Sequence, residues 1–468
     1  MKAGSIQLQL AATNPWWRSA GWVEGDLQLQ EAATAPFRYR SGALRDLQVG
    51  GLYLLRGPRR AGKSTEIKHA IADLIEAGVE PRRIVHAPVD GWRASDLRTL
   101  ITSAADTFLS GVIEPRYWFL DEISSVSGDW PNALKYLRDN DPTFARDTVV
   151  LTGSSAARLH EVRKALAGRR GEVTRTDRTL LPMRFGDFVA AAGVSLPAVT
   201  ALPAAGLRDP IARAQVDQLL PFLPELVRLW ESYLRVGGFP QAVRAWRQTG
   251  DVAAPLVDAL WDVVYGDAIE RARFSAPQAA LLLDRLARGI GSPVNVADLA
   301  RDLDSAHGTV RQRLADLAES FLTWPCHLEH QLAPKLSAQS KWYFVDPLLA
   351  RLAGLRGYGT EPDHTQLAEQ QVGLALLRSA DTAGLGDPAD HDAVLYHRSS
   401  TRTEIDFVGR GLGGVAIESK YADSAVGRDA QTLAASRWSG VITSRSVTRF
   451  GDEVDVLPAP MVVLLLGG

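Results

Sequence analysis

The sequence predicts an α/β protein organised around a parallel sheet with crossover helices. Three observations carry this reading. Gly57-Pro58-Arg59-Arg60-Ala61-Gly62-Lys63-Ser64 fits G-x-x-x-x-G-K-[ST], a phosphate-binding loop. The loop lies between an apolar run, Leu52-Tyr53-Leu54-Leu55, and a helical pattern over residues 64–77, which is the strand–loop–helix context it needs. Strand-like and helix-like stretches then alternate to about residue 190.

Residues 1–50 read as a lead-in. Trp16, Trp17 and Trp22 are expected to pack on the core; alternatively this segment, with Phe37, Arg38 and Tyr39, covers the adenine of a bound nucleotide. Residues 51–190 form the expected ATPase core, with strands at 52–55, 84–87, 117–120 and 148–151 and helices over 94–109 and 130–138.

In the loop, glycines let backbone N–H groups curl toward the β- and γ-phosphates. Lys63 adds a cation, and the Ser64 hydroxyl can ligate Mg²⁺. The nucleotide-binding set is Gly57, Pro58, Arg59, Arg60, Ala61, Gly62, Lys63, Ser64 and Thr65, and the implied cofactors are ATP and Mg²⁺. The third strand ends in Trp118-Phe119-Leu120-Asp121-Glu122. A buried strand thereby delivers two carboxylates beside the loop. Asp121 would hold Mg²⁺ through water, and Glu122 would polarise the attacking water as general base. The fourth strand ends in Leu151-Thr152-Gly153-Ser154-Ser155, so Thr152 or Ser154 can contact the γ-phosphate or the lytic water.

Arg169 and Arg170 follow in Leu166-Ala167-Gly168-Arg169-Arg170-Gly171. Phosphoryl transfer gains from a cation that neutralises transition-state charge, often an arginine from a neighbouring subunit, and either residue fits that role. Residues 143–187 hold nine Arg and Lys against five Asp and Glu, a local excess suited to phosphates of a nucleotide or of DNA.

These stations, residues 57–65, 119–122, 151–155 and 166–171, with Leu181-Pro182-Met183-Arg184-Phe185-Gly186-Asp187-Phe188 and the later Gly237-Gly238-Phe239-Pro240, resemble bacterial and archaeal AAA-type ATPases that carry an uncharacterised C-terminal domain. The resemblance runs over nearly the whole chain. It implies an AAA-type sheet and, at the C-terminus, a restriction-endonuclease-like fold.

Residues 191–276 are expected to hold an irregular Ala- and Pro-rich insertion and then a helical lid. Residues 277–350 read as a winged helix: helices at 279–290, 296–303 and 305–319, the last capped by Ser305, then a strand at Trp342-Tyr343-Phe344-Val345. The third helix would offer His307, Thr309, Arg311, Gln312 and Arg313 to the major groove of DNA. Cys326, His327 and His330 lack a fourth ligand for zinc.

Residues 360–468 show a helix over 367–378 bearing Glu369, then strands at 393–397, 404–408 and 414–419. Asp406 and Glu418-Ser419-Lys420 form an Asp…Glu-x-Lys skeleton. Its carboxylates would hold one or two divalent metals, with Lys420 on the same strand face as Glu418 and Glu369 completing the shell. The apolar run Pro460-Met461-Val462-Val463-Leu464-Leu465-Leu466 reads as a final buried strand, too short to cross a membrane.

The bulk composition fits several soluble domains: 468 residues, 46% hydrophobic and 23% charged. One cysteine excludes an internal disulfide framework and, with no signal-peptide pattern at the start, fits the cytoplasm. A net charge of −2 weighs against a dedicated nucleic-acid module, so charge has to act locally. The reading ranked first is an AAA-type ATPase coupling ATP hydrolysis to DNA binding or remodelling. It would work as a ring homo-oligomer, such as a hexamer, on branched or single-stranded DNA. Its alternatives are a Mg²⁺-dependent nuclease regulated by ATP, in defence or a mobile element, and a non-enzymatic ATP-binding signalling switch.

Overall fold

The computed structural model describes residues 3–107, 115–154, 156–262, 275–399, 403–424 and 426–468. The expected helix end at 108–109, Ser155 and the stretch 263–274 of the expected lid lie outside them. The chain divides into two compact units, Met1–Leu181 and Pro182–Gly468.

The first unit opens with helix α1 (Ala3–Thr13) and is built on strands β1 (Leu52–Arg56), β2 (Ile84–Pro88), β3 (Tyr117–Asp121), β4 (Thr148–Gly153) and β5 (Asp177–Thr179). Between them lie α2 (Lys63–Glu76), α3 (Ala94–Thr107), α4 (Trp130–Asn140) and α5 (Ala156–Ala165). The strands pair all-parallel in the order β2-β3-β4-β1-β5. Side chains alternate between two cores: Leu52, Leu54, Trp118, Leu120, Val149 and Leu151 join one, and Tyr53, Leu55, Tyr117, Phe119 and Val150 the other. Burial on both faces explains why these strands read as continuous apolar runs.

β2 is an edge strand, and the lead-in covers it. The Asn14 amide clamps the His86 backbone, accepting from its N–H at 2.7 Å and donating to its carbonyl at 2.9 Å. The indole N–H groups of Trp16 and Trp17 donate to the Ile84 carbonyl at 3.0 and 2.9 Å. An exposed edge would template aggregation; here its polar groups are occupied. Trp16 and Trp17 therefore pack at the starting end of β2, opposite the strand ends that carry the phosphate loop. Both tryptophans thus pack on the core, as expected.

The second unit begins with α6 (Phe185–Ala191), α7 (Pro210–Leu219), α8 (Leu223–Val236) and α9 (Pro240–Thr249). The insertion is thus partly helical. The Gly237-Gly238 turn is held at two points: Gly238 N–H donates to Asp346 Oδ2 at 2.7 Å, and its carbonyl accepts from Met183 N–H at 2.7 Å. A Cβ at Gly238 would meet the Met183 carbonyl oxygen at 2.2 Å, so only glycine fits. Two stations far apart in sequence therefore pack as one.

Next come α10 (Ala276–Arg288), α11 (Val296–Asp302) and α12 (His307–Glu319), then β6 (Thr323–His330), β7 (Ala333–Pro334), β8 (Lys341–Phe344) and α13 (Pro347–Leu355). α12 starts two residues later than expected, with Ala306 and not Ser305 at its cap. Ser305 Oγ instead accepts from Arg313 Nη1 at 3.2 Å.

The remainder is α14 (His364–Thr382), β9 (Leu395–Arg398), β10 (Glu404–Val408), β11 (Val415–Ser419), α15 (Val426–Ala434), β12 (Ser439–Ser444), β13 (Val454–Pro458) and α16 (Ala459–Leu465). One eight-stranded sheet, ordered β13-β12-β11-β10-β9-β6-β7 with β8 on β6, runs through both segments expected as separate domains. β6 pairs parallel with β9 through His327–Leu395 and Leu328–Tyr396.

The final apolar run is a helix and not a strand. Pro460 suits a helix start and would remove a ladder donor from a central strand. Since α16 is buried on every side, no periodicity marked it.

Candidate functional site

The phosphate loop links β1 to α2, and its glycines differ in purpose. Gly57 has φ of 152°, and a Cβ there would meet the Leu180 carbonyl oxygen at 1.9 Å. Gly62 has φ of 105° but nothing within 4 Å, so it supplies backbone conformation beside open space. Lys63 is buried, and its ammonium donates to the Gly57 and Pro58 carbonyls, each at 2.9 Å. Burial pushes it below its usual range, opposed by Glu122 and Asp121. Arg59 and Arg60 are exposed at the loop crest.

β4 lies between β1 and β3, so its end bridges the two half-sites. Ser64 Oγ donates to Asp121 Oδ2 at 2.7 Å. Thr152 Oγ1 donates to Asp121 Oδ1 and accepts from the Glu122 N–H at 3.0 Å. Thr152 is therefore the polar strand-end residue that joins the network; Ser154, two residues on, is buried.

Burial pushes the Asp121 carboxyl up, but His86, Thr152 and Ser64 outweigh it and hold the pKa at about 2. Glu122 follows with φ of 58°, a strained left-handed conformation that turns the chain at the strand end. Burial raises its pKa, opposed by Lys63 and reinforced by Asp121. The donor set Ser64 and Asp121 fits a hard cation such as Mg²⁺, which takes oxygen ligands.

His86 belongs to this site, although no motif marks it. It is a lone polar residue in Ile84-Val85-His86-Ala87-Pro88, which was the available signal. Of the two arginines, Arg170 pairs with Asp177 Oδ2 at 2.5 Å and its Nε donates to the Leu52 carbonyl at 3.3 Å, tying β5 to β1. Its side chain is only 14% exposed, so Arg170 is a structural residue here and not a projecting finger. Arg169 pairs with Asp139 at 2.6 Å and is 35% exposed.

On α12, His307, Thr309, Arg311 and Gln312 are exposed. Arg313 is buried against Ser305, which corrects its place on the expected DNA face. His327 Nδ1 meets Ser340 Oγ at 2.8 Å and Cys326 is buried in the sheet.

In the C-terminal sheet, Asp406 and Glu418 lie side by side: the Asp406 N–H donates to Glu418 Oε2 at 3.4 Å. Lys420 Nζ pairs with Glu418 Oε1 at 3.0 Å. Glu369 does not close a metal shell with them. It accepts from the Tyr343 hydroxyl at 2.6 Å and faces Lys341, which no sequence motif marks. Burial raises Glu369 to about 7 and Glu418 to about 8, with Asp406 adding to both. Among the described residues, no group of three or more His, Cys, Asp or Glu is arranged to hold a metal ion, and no helix is long and apolar enough to cross a membrane.

Residues 50–189 match a family model described as an AAA domain, and residues 227–358 match a domain of unknown function (DUF8612). A search of curated proteins finds no match. Among solved structures, the chain is similar to the Walker-type ATPase PABY2304 of Pyrococcus abyssi (14% identity, TM-score 0.39, covering 70% of this chain and 93% of that one). It is also similar to the Aeropyrum pernix ORC2 protein in its ADPNP-ADP complexes (13%, 0.33, 71% and 94%). A third is the Thermotoga maritima RuvB Holliday junction branch migration motor (14%, 0.27, 65% and 89%). The first unit is built on a parallel α/β sheet, and the match to the AAA-domain model falls on residues 50–189.

Proposed function

We propose that the chain is an ATPase whose hydrolytic site is the junction of β1, β3 and β4. The observation that carries this reading is the Ser64–Asp121–Thr152–Glu122 network, which ties the phosphate loop to both acids. On binding ATP, Lys63 exchanges the Gly57 and Pro58 carbonyls for phosphate oxygens, while loop N–H groups hold the remaining charge. Ser64 and Asp121 would hold Mg²⁺, which supplies charge neutralisation on the phosphates. Glu122, held at the strand end through its own N–H, takes the proton of the attacking water.

The decisive comparison is Glu122→Gln against wild type. Turnover should fall about 10²–10⁴-fold, the usual worth of a general base, while ATP binding persists. Equal turnover in the two proteins would sink the proposal.

The finer reading is a ring homo-oligomer that acts on branched or single-stranded DNA. Arg169, the more exposed arginine, would reach a neighbour's γ-phosphate after leaving Asp139. The α10–α12 helices and the β6–β8 hairpin would form a winged helix, with His307, Thr309, Arg311 and Gln312 toward DNA. Support comes from the exposure of those four side chains on a helix that follows a short turn. ATPase rates measured at low salt with single-stranded and branched DNA test it; rates indifferent to every DNA form rule it out.

A further inference from the structure

The second unit gathers four carboxylates at one place. Glu369 comes from α14, Glu404 and Asp406 from one face of β10, and Glu418 from β11. Glu404 and Asp406 share a face because side chains on a strand repeat every second residue. Such a cluster calls for a compensating cation, since unpaired buried charge is costly.

The compensating charge comes from the chain itself. Lys341 on β8 is wholly buried. Its Nζ lies 2.7 Å from Asp406 Oδ1, 2.8 Å from Glu404 Oε1 and 3.5 Å from Glu369 Oε1. An ammonium has three donors, and three carboxylates face them. Other oxygens are also engaged: Asp406 Oδ2 accepts from Ser419 N–H at 3.0 Å, and Glu418 is held by Lys420 and the Asp406 N–H. The β6–β8 pairing fixes the position of Lys341 opposite Cys326. A divalent ion on these acids would compete for Asp406 Oδ1 and sit against a fully buried ammonium.

We infer that Lys341 is the resident cation of this cluster, so that the C-terminal sheet holds its carboxylates together without a divalent metal. Glu369, Glu404 and Asp406 then serve as the anchor of the hairpin on the sheet and not as a metal shell. The inference is independent of the phosphate-loop reading, since it concerns other residues and another readout.

The test is a Mn²⁺ titration, followed by electron paramagnetic resonance, on the full nucleotide-free chain. Wild type and Asp406→Asn should bind the same number of ions. Lys341→Met should gain one further ion, lose it again when combined with Asp406→Asn, and melt at a higher temperature with Mn²⁺ than without. A wild-type ion that Asp406→Asn removes overturns the inference, as does a folded Lys341→Met with no added ion. If Lys341→Met does not fold with or without Mn²⁺, the comparison of wild type with Asp406→Asn decides alone. Glu418→Gln replaces Asp406→Asn should that variant not fold.

Discussion

His86 Nε2 lies 3.9 Å from Asp121 Oδ2, buried and with no hydrogen bond of its own. At this distance the ring lies just beyond direct hydrogen bonding, and its polar edge still acts on the carboxylate. The ring is aimed by its backbone, which Asn14 clamps from the lead-in. His86 is therefore a positioning residue for Asp121. His86→Ala should lower turnover about 10–100-fold, as loss of a supporting partner around a metal ligand does, with ATP affinity little changed. His86→Gln, which keeps an N–H donor, should recover much of it. Steady-state kinetics over a Mg²⁺ series separates the two, since a purely structural role would not shift the Mg²⁺ requirement.

Thr152 joins Asp121 to the Glu122 backbone through one hydroxyl. Thr152→Ser preserves that hydroxyl and should keep activity. Thr152→Val preserves the shape but leaves the Glu122 N–H without its acceptor, a loss of about 1–3 kcal/mol for a buried group. Turnover should fall while nucleotide binding survives, and fluorescent-nucleotide titration beside rate measurement checks both.

Gly57 and Gly62 should respond differently to alanine. Gly57→Ala drives a Cβ into the Leu180 carbonyl at 1.9 Å and should unfold the loop or the unit. Gly62→Ala meets no atom within 4 Å and carries only backbone strain, of order 1–3 kcal/mol. Thermal melts should show a large loss for the first and a small one for the second, though both weaken ATP binding.

Asp346 links stability to pH. Its carboxyl is buried, and burial raises its pKa from 3.8 to about 7 despite hydrogen bonds from Gly238 and Leu348 N–H. Between those values the folded chain keeps a proton that the unfolded chain has lost. Unfolding free energy therefore falls as pH rises through this window, by up to about 1.4 kcal/mol per pH unit for one proton. Above the upper value the contribution is gone. Urea unfolding from pH 5 to 8 should show this slope in wild type and a flatter one in Asp346→Asn.

The first unit was legible because its signals are local. A glycine pattern, an apolar run ending in Asp121-Glu122 and a polar end at Thr152 each declare themselves within a few residues. β5 escaped because Asp177-Arg178-Thr179 is short and polar; it is held by pairing with β1 and by Arg170. Exposure was the other blind spot. Arg170 and Arg313 look alike in sequence to Arg169 and Arg311, yet a nearby Asp177 and Ser305 draw them inward. Lys341 escaped for a similar reason. A lysine at the start of an apolar strand reads as an exposed end until β10 supplies its acids. Glu404, two residues before Asp406, was the available hint.

The pairing of β6 with β9 constrains how this chain could have been assembled. The matched segment 227–358 contains the hairpin but stops short of β9. Excised there, it would carry a bare strand edge at His327 and Leu328, and Lys341 would lose Glu369, Glu404 and Asp406 together. The two segments therefore depend on each other for a closed strand edge and a paired lysine. A lineage that trades one of them for a foreign module has to bring a new strand to close the edge and a new acid to meet the lysine, or lose both needs at once.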